Sequence, residues 1–176
     1  MRRAGRGGHW FEPSSGHHIH YIMLITAHSL LGALIGKEVG YPPLAFLLGF
    51  ISHFILDSIP HCDGPDDAAG RDENDPNTKA QYALVFLDLL LSSAIAIYLF
   101  NTGMITTGMI WGVAGALLPD LIDNVPMWKR KIRKLIVFKD FHTFHARIQN
   151  IKTPLWLGLL IQYVLAAFFF WLIFLL

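Results

Sequence analysis

Residues 88–120 read DLLLSSAIAIYLFNTGMITTGMIWGVAGALLPD and contain no charged side chain between the two terminal aspartates. The only polar break is Asn101-Thr102-Gly103, which predicts a tight turn between two apolar helices. With the apolar residues that flank the stretch, each half becomes a run of the length that crosses a bilayer. We therefore predict a pair of membrane-spanning helices at the centre of the chain.

The composition of the whole chain agrees with a membrane protein. Of its 176 residues, 53% are hydrophobic and 15% are charged, whereas about 25% of the residues of a soluble domain are charged. A soluble enzyme and a disordered chain are therefore not expected. The formal net charge of +1 gives no basis for nucleic-acid binding, and the single cysteine excludes an internal disulfide and a cysteine-rich zinc module.

Apolar runs of membrane length recur along the chain, and they predict an all-α polytopic membrane bundle with about five spanning helices. These runs cover residues 21–36, 42–60, 80–101, 103–125 and 153–176. They form a single membrane domain over residues 20–176. Residues 1–19 are expected to be a disordered cytoplasmic arm, and Met23 is an alternative translation start.

A basic segment at residues 127–139 lies between the last two apolar runs. Its apolar residues recur at helical spacing, which predicts an interfacial amphipathic helix with its basic side toward anionic lipid headgroups. The alternative is a nucleic-acid-binding patch, which the position between two spans argues against. Because basic loops stay in the cytoplasm, the arm and this helix are predicted to be cytoplasmic and the C-terminus to be outside.

Four aspartates lie inside the apolar runs or at their ends, namely Asp57, Asp88, Asp120 and Asp123. A carboxylate in the middle of a membrane costs roughly 2.5–3.5 kcal/mol on insertion scales, and the runs contain no Lys or Arg to pair with it. Protonation, water or a metal ion must compensate. Histidines in the same region favour a metal, since His and Asp are ligands of Zn²⁺, Mn²⁺ and Fe²⁺.

Helical geometry predicts that these polar side chains converge. At 1.5 Å per residue, His28, His53 and Asp88 lie at a similar depth, roughly 12 Å from the cytoplasmic ends of their spans. His53, Asp57 and His61 have i, i+4, i+8 spacing and share one helix face. Small residues at four-residue spacing continue these faces: Gly32, Gly36, Gly40, Gly49, Gly108, Gly112 and Ala116. Such spacing indicates close helix packing, so the ligands are expected to point into the bundle.

The predicted metal ligands are His28, His53, Asp57, His61, Asp120, His142 and His145. Asp88 and Asp123 are predicted catalytic carboxylates, which act as a base or orient water. With no thiolate in the set, an open catalytic site is expected rather than a closed structural zinc site, and zinc is the first choice of metal.

Other interpretations of single residues remain open. His61 is also explained as a loop residue that follows Pro60, and Asp123 as the end of a helix. His142 and His145 are also explained as interfacial aromatic residues.

Three segments resemble motifs of a known family: Thr26-Ala27-His28-Ser29, residues 49–57 (GFISHFILD) and residues 115–123 (GALLPDLID). The family is the bacterial inner-membrane metal-dependent hydrolase family of the YdjM type, and Phe141-His142-Thr143-Phe144-His145 is similar to its paired-histidine loop. The resemblance implies a small multi-span protein of the inner membrane. It also implies a conserved polar set at His28, His53, Asp57, Asp120, Asp123, His142 and His145. In one helix, His53-x-x-x-Asp57 with His61 also resembles the zinc-dependent phospholipase C family.

The leading hypothesis is a membrane-embedded metal-dependent hydrolase that acts on a phosphoester or a lipid headgroup at the cytoplasmic face. Anionic membrane lipids are its expected partners. One alternative is a transporter in which the aspartates form a path for protons or cations. Another is a non-catalytic scaffold with a structural metal, which would unfold on chelation and turn over no substrate.

Overall fold

The computed structural model describes residues 24–62, 64–65, 78–125, 128–132, 134–149 and 153–176. Within these ranges the regular elements are all helices, which confirms the all-α prediction. The helices are α1 (Ile25–Val39), α2 (Pro42–Asp57), α3 (Lys79–Asn101), α4 (Thr107–Asp123), α5 (Lys129–Ile132), α6 (Ile136–Ile148) and α7 (Leu155–Leu175). The predicted arm at residues 1–19 and most of the acidic loop at 61–79 lie outside the described residues.

Two helices are long and apolar enough to cross a membrane, by length and composition alone. They are α3, with 23 residues, and α7, with 21 residues, and the most apolar 18-residue window of each has a mean hydropathy of 2.3. The prediction of about five spanning helices is therefore wrong in number. Among the described helices, α1, α2 and α4 have 15, 16 and 17 residues. At 1.5 Å per residue, 17 residues reach only about 26 Å of the roughly 30 Å needed.

The apolar runs overestimated the lengths of α2 and α4, because the runs include residues that lie outside the helices. α2 ends at Asp57, although its run continues to Pro60. The run at 103–125 begins four residues before α4, and Thr106 is extended and caps the helix with its side chain. Hydropathy does not distinguish an apolar turn from an apolar helix, so the length of a run gave too long an element.

The centre of the fold is formed by α1, α2 and α4, whose backbones approach closely at glycines. A Cβ added to Gly32 would lie 2.6 Å from the carbonyl oxygen of Gly112 and 2.8 Å from Cβ of Ala116. Gly36 meets Gly108 in the same way. These contacts agree with the predicted small-residue faces. Because histidines and aspartates follow on the same faces, the close approach also brings their side chains together.

Asp88 on α3 caps the N-terminus of α1. The backbone N–H groups of Ile25 and Thr26 donate to Asp88 Oδ2 at 2.6 and 3.1 Å, and Thr26 Oγ1 donates to the Asp88 carbonyl at 3.1 Å. The residue at the N-cap position itself, Leu24, has no side-chain acceptor. A carboxylate satisfies the first N–H groups of a helix and interacts favourably with the helix dipole. This buried aspartate is therefore explained by its role in the fold.

The basic segment does not form the single helix predicted over residues 127–139. α5 is a single turn, and α6 begins at Ile136 after an extended residue, Leu135. Ile136, which was expected on the lipid-facing apolar side, is 80% exposed. The face of α6 that is buried carries His145. That side chain contacts Asp57 on α2 and Asp123 on α4.

Candidate metal centre

A buried cluster of histidines and aspartates lies where α1, α2, α4 and α6 meet. Its members are His28, His53, Asp57, Asp120, Asp123, His142 and His145. Six of them are classed as buried, and the seventh, His142, is partly exposed. The members come from positions that are far apart in sequence, so the tertiary fold assembles the cluster.

Three ligand atoms form a compact triangle at the centre of the cluster. Asp57 Oδ2 lies 2.9 Å from His145 Nε2 and 3.2 Å from His53 Nε2, and the two histidine nitrogens are 3.1 Å apart. For bonds of about 2.1 Å, neighbouring ligand atoms on one cation lie about 3.0 Å apart in an octahedron and about 3.4 Å in a tetrahedron. The triangle therefore has the dimensions of one face of a metal coordination sphere.

Asp120 provides a fourth ligand atom beside this triangle. Its Oδ1 lies 3.7 Å from His53 Nε2 and 3.8 Å from His145 Nε2. Asn124, one turn later on the chain, donates from Nδ2 to the same oxygen at 2.7 Å and holds it in place. Two nitrogens and two carboxylate oxygens make a donor set that suits Zn²⁺, Mn²⁺ or Fe²⁺.

Contacts on the far side of each imidazole direct the ring toward the centre. His53 Nδ1–H donates to the carbonyl oxygen of Ala116 at 2.8 Å. Since a carbonyl only accepts, the proton is on Nδ1, and Nε2 carries the lone pair that a metal needs. On the other ring, His145 Nδ1 lies 3.3 Å from Asp123 Oδ2. A carboxylate behind a histidine ligand is the usual arrangement in metal sites.

The charge state of His145 is set by these neighbours. Burial by itself lowers the pKa of His145, but hydrogen bonds to Asp123 and Asp57 and the charge of Asp120 raise it to about 10. The metal-free ring is therefore protonated at neutral pH. A cation that binds to Nε2 must displace this proton.

Most of the ligands predicted from the sequence meet in the cluster. His28, His53, Asp57, Asp120 and His145 belong to two groups whose ligand atoms lie within 4.8 Å of one another. His142 is connected to these groups through Asp123, because its Nδ1–H donates to Asp123 Oδ2 at 2.8 Å and the same oxygen lies 3.3 Å from His145 Nδ1.

Two predicted residues lie outside these groups. His61 lines a small cavity together with His28, and its Nδ1–H donates to the carbonyl of Ile59 at 2.7 Å. Asp88 accepts a hydrogen bond from the backbone N–H of Ile25 at the start of α1. In the function proposed below, this structural role replaces the catalytic role that was predicted for it.

Sequence reasoning missed two amide side chains in the cluster. Gln149 Nε2 donates to Asp57 Oδ2 at 3.0 Å, and Asn124 donates to Asp120. Each amide follows a cluster residue at i+4, since Gln149 follows His145 and Asn124 follows Asp120. Extending the helical faces by one turn would have found both residues.

Comparison of the chain with protein-family models, with curated proteins and with solved structures gives no match. The resemblances to the YdjM-type family and to zinc-dependent phospholipase C therefore stay predictions. What supports a function is the geometry of the cluster.

Proposed function

We propose that this protein is a membrane-associated metal-dependent hydrolase. Four side chains would hold its cation: His53, Asp57, Asp120 and His145. The observation that carries the proposal is the triangle of ligand atoms, whose sides measure 2.9, 3.1 and 3.2 Å. Three potential ligands are rarely buried at this separation unless a cation or shared protons offset their mutual repulsion. Zinc is the first choice, with manganese and iron as alternatives.

A divalent cation supplies Lewis acidity, which makes water nucleophilic near neutral pH and withdraws charge from a substrate oxygen. The protein would supply the rest of the chemistry. Asp57 and Asp120 come from two different helices and fix the position of the cation. Ala116 and Asp123, which contact the two histidine rings from behind, keep the Nε2 atoms directed at it.

His142 would accept the proton that the attacking water loses, and Asp123 would orient the His142 ring. The His142 side chain is 16% exposed, which makes it the most exposed side chain of the seven-residue cluster. The next is Asp120, whose side chain is 10% exposed. Because its Nδ1–H donates to Asp123, its Nε2 is the nitrogen that accepts a proton. We assign proton transfer to Nε2 of His142, with Asp123 as the group that orients the ring. The substrate would then approach from the side of Asp120 and His142.

An apolar cleft supports a substrate that carries an alkyl chain. The cleft has a volume of about 320 Å³ and lies between α1, α3 and α4. One end is lined by Ile25 and Leu117, which lie about one turn from His28 and Asp120. Leu99 lines its other end. Its lining is apolar apart from a few hydroxyl groups, so a lipid phosphoester fits better than a polar metabolite.

A bacterial inner-membrane location is part of the same proposal. α3 and α7 are long and apolar enough to span, and only 11% and 22% of their most apolar windows are buried. Leu135, Ile136 and Val137 are also exposed, and they lie beside the exposed Lys134 and Lys139. This combination favours contact with an anionic lipid surface.

The test is metal content and turnover of the detergent-purified protein. We expect zinc, manganese or iron to copurify, and we expect the loaded protein to hydrolyse bis(p-nitrophenyl) phosphate or phosphatidic acid. Asp57→Asn should lose both properties. Asp140→Asn, at an exposed position on α6, is the matched control and should keep both. Full metal retention in Asp57→Asn would overturn the proposed site.

The second candidate function is proton or cation transport, for which acidic side chains should lie at several depths. Asp57 and Asp120 instead contact the same two histidines, His53 and His145. Asp88 accepts a hydrogen bond from the first backbone N–H group of α1. A non-catalytic scaffold predicts copurified metal without turnover on any phosphoester. Flux measurements in proteoliposomes and the hydrolysis assay separate these alternatives.

A further inference from the structure

We propose that His28 is a fifth ligand of the same cation and that it shifts the preference of the site from Zn²⁺ toward Mn²⁺ and Fe²⁺. This inference rests on the proposed function, because the cation is the one held by His53, Asp57, Asp120 and His145. It deepens that function, because the number of ligands decides which of the three metals the site favours.

His28 is buried beside the carboxylate of Asp57. Its side chain is 5% exposed, and its Nε2 lies 3.5 Å from Asp57 Oδ1. This separation is longer than the 2.7–3.2 Å of an N–H···O hydrogen bond. It is within the range of two atoms on one cation, since opposite ligand atoms lie about 4.2 Å apart for bonds of about 2.1 Å. The ligand atoms of His28, His53 and Asp57 all lie within 4.8 Å of one another.

Two buried atoms of this contact have no hydrogen-bond partner among the described residues, Asp57 Oδ1 and His28 Nδ1. Buried polar atoms are paired in nearly all proteins, so an unpaired carboxylate oxygen beside an unpaired imidazole calls for an explanation. A cation on Nε2 of His28 would lie next to Asp57 Oδ1 and offset its charge. The geometry of this pair therefore favours His28 as a ligand.

The other nitrogen of His28 also fits this role. A metal-bound histidine usually donates its second N–H to a carboxylate, a carbonyl or water. A cavity of about 10 Å³ is lined by His28 and Gln162, and this volume is close to the minimum that holds one water molecule. A water molecule there would accept the Nδ1–H of His28 while Nε2 binds the cation.

The packing of α1 fixes His28 beside the first four ligands. The rings of His28 and His53 are in contact, with centroids 4.6 Å apart. One turn after His28, Gly32 approaches the backbone of Gly112 on α4 so closely that a Cβ would lie 2.6 Å from the Gly112 carbonyl oxygen. The backbone that carries His28 is therefore held against the helix that carries Asp120, which is the support that a ligand needs.

A fifth ligand has a specific chemical consequence. Zinc sites usually have four ligands, and catalytic zinc sites use three side chains and water. Five side chains exceed this number, whereas Mn²⁺ takes six ligands in an octahedron and Fe²⁺ sites also keep positions open beyond their protein ligands. A site of given ligands binds Zn²⁺ more tightly than Mn²⁺ or Fe²⁺, so coordination geometry has to supply the opposite preference. His28 would supply it.

The first experiment measures metal affinity in the full-length, detergent-purified protein by competition with a fluorescent chelator. His28→Leu removes the proposed ligand and keeps an apolar side chain at the position, and Ser29→Ala is the neighbouring control. We expect His28→Leu to lower Mn²⁺ affinity by at least about 100-fold and Zn²⁺ affinity by about tenfold or less. Ser29→Ala should change neither. Size-exclusion profiles and thermal denaturation establish that each variant is folded.

The second experiment counts the histidine nitrogens on Mn²⁺ by pulsed electron paramagnetic resonance. We expect three in wild type and two in His28→Leu. Two in wild type would overturn the fifth ligand, whether or not the variant folds, and would leave the proposed function standing. Equal losses of Mn²⁺ and Zn²⁺ affinity in His28→Leu, or no loss of either, would also overturn it. Failure of wild type to bind any of the metals would overturn both proposals.

Discussion

His145 Nε2 lies 2.9 Å from Asp57 Oδ2, although the two residues are 88 positions apart in the chain. This contact joins α6, which is amphipathic, to the end of α2 in the tightly packed centre. It also places two of the proposed metal-ligand atoms at the distance expected for neighbours on one cation. The contact therefore links the position of α6 to the occupancy of the proposed site.

Removing the carboxylate behind His145 should weaken metal binding without abolishing it. Asp123 contacts both His142 and His145 but is not one of the four proposed ligands of the cation. We expect Asp123→Asn to reduce Zn²⁺ affinity by about 10–100-fold, as is typical of groups that orient a ligand. Competition with a fluorescent chelator measures the affinity. An unchanged affinity in Asp123→Asn would show that this carboxylate does not orient a metal-binding histidine.

Metal binding should release protons. His145 has a pKa of about 10 in the metal-free protein, so at pH 7.5 it carries a proton that the cation must displace. Calorimetric titration in two buffers of different ionisation enthalpy should show about one proton released per bound cation. Affinity should fall as the pH is lowered, because protons then compete better for the imidazole. In His145→Gln this release should disappear, and a proton count unchanged in that variant would contradict the assignment.

The same pKa shift affects the stability of the metal-free protein. Its folded value of about 10 lies above the ordinary value of 6.5, so His145 stabilises the folded state fully below pH 6.5. This contribution is lost as the pH rises toward 10. Denaturation of the chelated protein between pH 6 and pH 10 should show the decline. The slope should be smaller in His145→Gln, and equal slopes in the two proteins would argue against the shift.

Substitution of Asp88 should lower the stability of the protein without changing its metal content. Asp88→Ala removes the acceptor for two backbone N–H groups at the start of α1. Loss of a helix cap lowers the free energy of unfolding by about 1–2 kcal/mol. We expect a lower melting temperature in detergent with unchanged metal content. If Asp88→Ala instead kept its melting temperature and lost turnover, the catalytic role predicted from the sequence would be favoured.

The glycine contacts predict that a larger residue at Gly112 prevents the close packing of α1, α2 and α4. A Cβ at Gly112 would collide with the backbone of Gly32, which cannot give way as a flexible side chain does. Gly112→Val should therefore cost at least about 1–3 kcal/mol and lower metal occupancy as well. Ala114→Val, at an exposed position on the same helix, is the control. Normal folding and full metal content of Gly112→Val would contradict this packing.

The apolar cleft predicts selectivity for chain length. Ala96 lines the cleft, and Ala94 lies on the same helix outside its lining. Ala96→Phe should lower kcat/KM for long-chain phosphatidic acid by about tenfold, equivalent to about 1.4 kcal/mol of lost binding. The same variant should hydrolyse bis(p-nitrophenyl) phosphate at the normal rate. Ala94→Phe should change neither activity, and equal effects of the two variants would exclude the cleft as the chain-binding site.

The local parts of this fold were predictable from the sequence, because apolar runs and small-residue spacing are local patterns. The i, i+4 relation of His53 and Asp57 identified one face of α2 correctly, and Gly32 and Gly112 mark the helix contact that was expected. The number of spanning helices was not predictable in this way, since hydropathy counts apolar turns as helix. Thr106 shows this, because it lies within an apolar run and yet begins a helix as its cap.

The interactions that depend on distant elements were less accessible. Asp88 was predicted to be a catalytic carboxylate because it lies in an apolar run that contains no Lys or Arg to pair with it. Its partner is the start of another helix, at Ile25 and Thr26, and no pattern around Asp88 reveals it. The position of α6 also depends on distant residues, because its buried side chain, His145, contacts Asp57 on α2 and Asp123 on α4.

Within its helical span, α6 buries only His145, and ring contacts of Phe54 with Phe141 and Phe144 add limited apolar support. The helix is therefore attached to the protein mainly through the groups that would bind the cation. Docking of α6 and binding of the cation are then coupled. In the metal-free protein the protonated His145 holds α6 against Asp57 and Asp123, and a bound cation would hold it more firmly. Chelation would therefore weaken the attachment of α6, so its amide hydrogens would exchange faster while the glycine-packed helices stay protected.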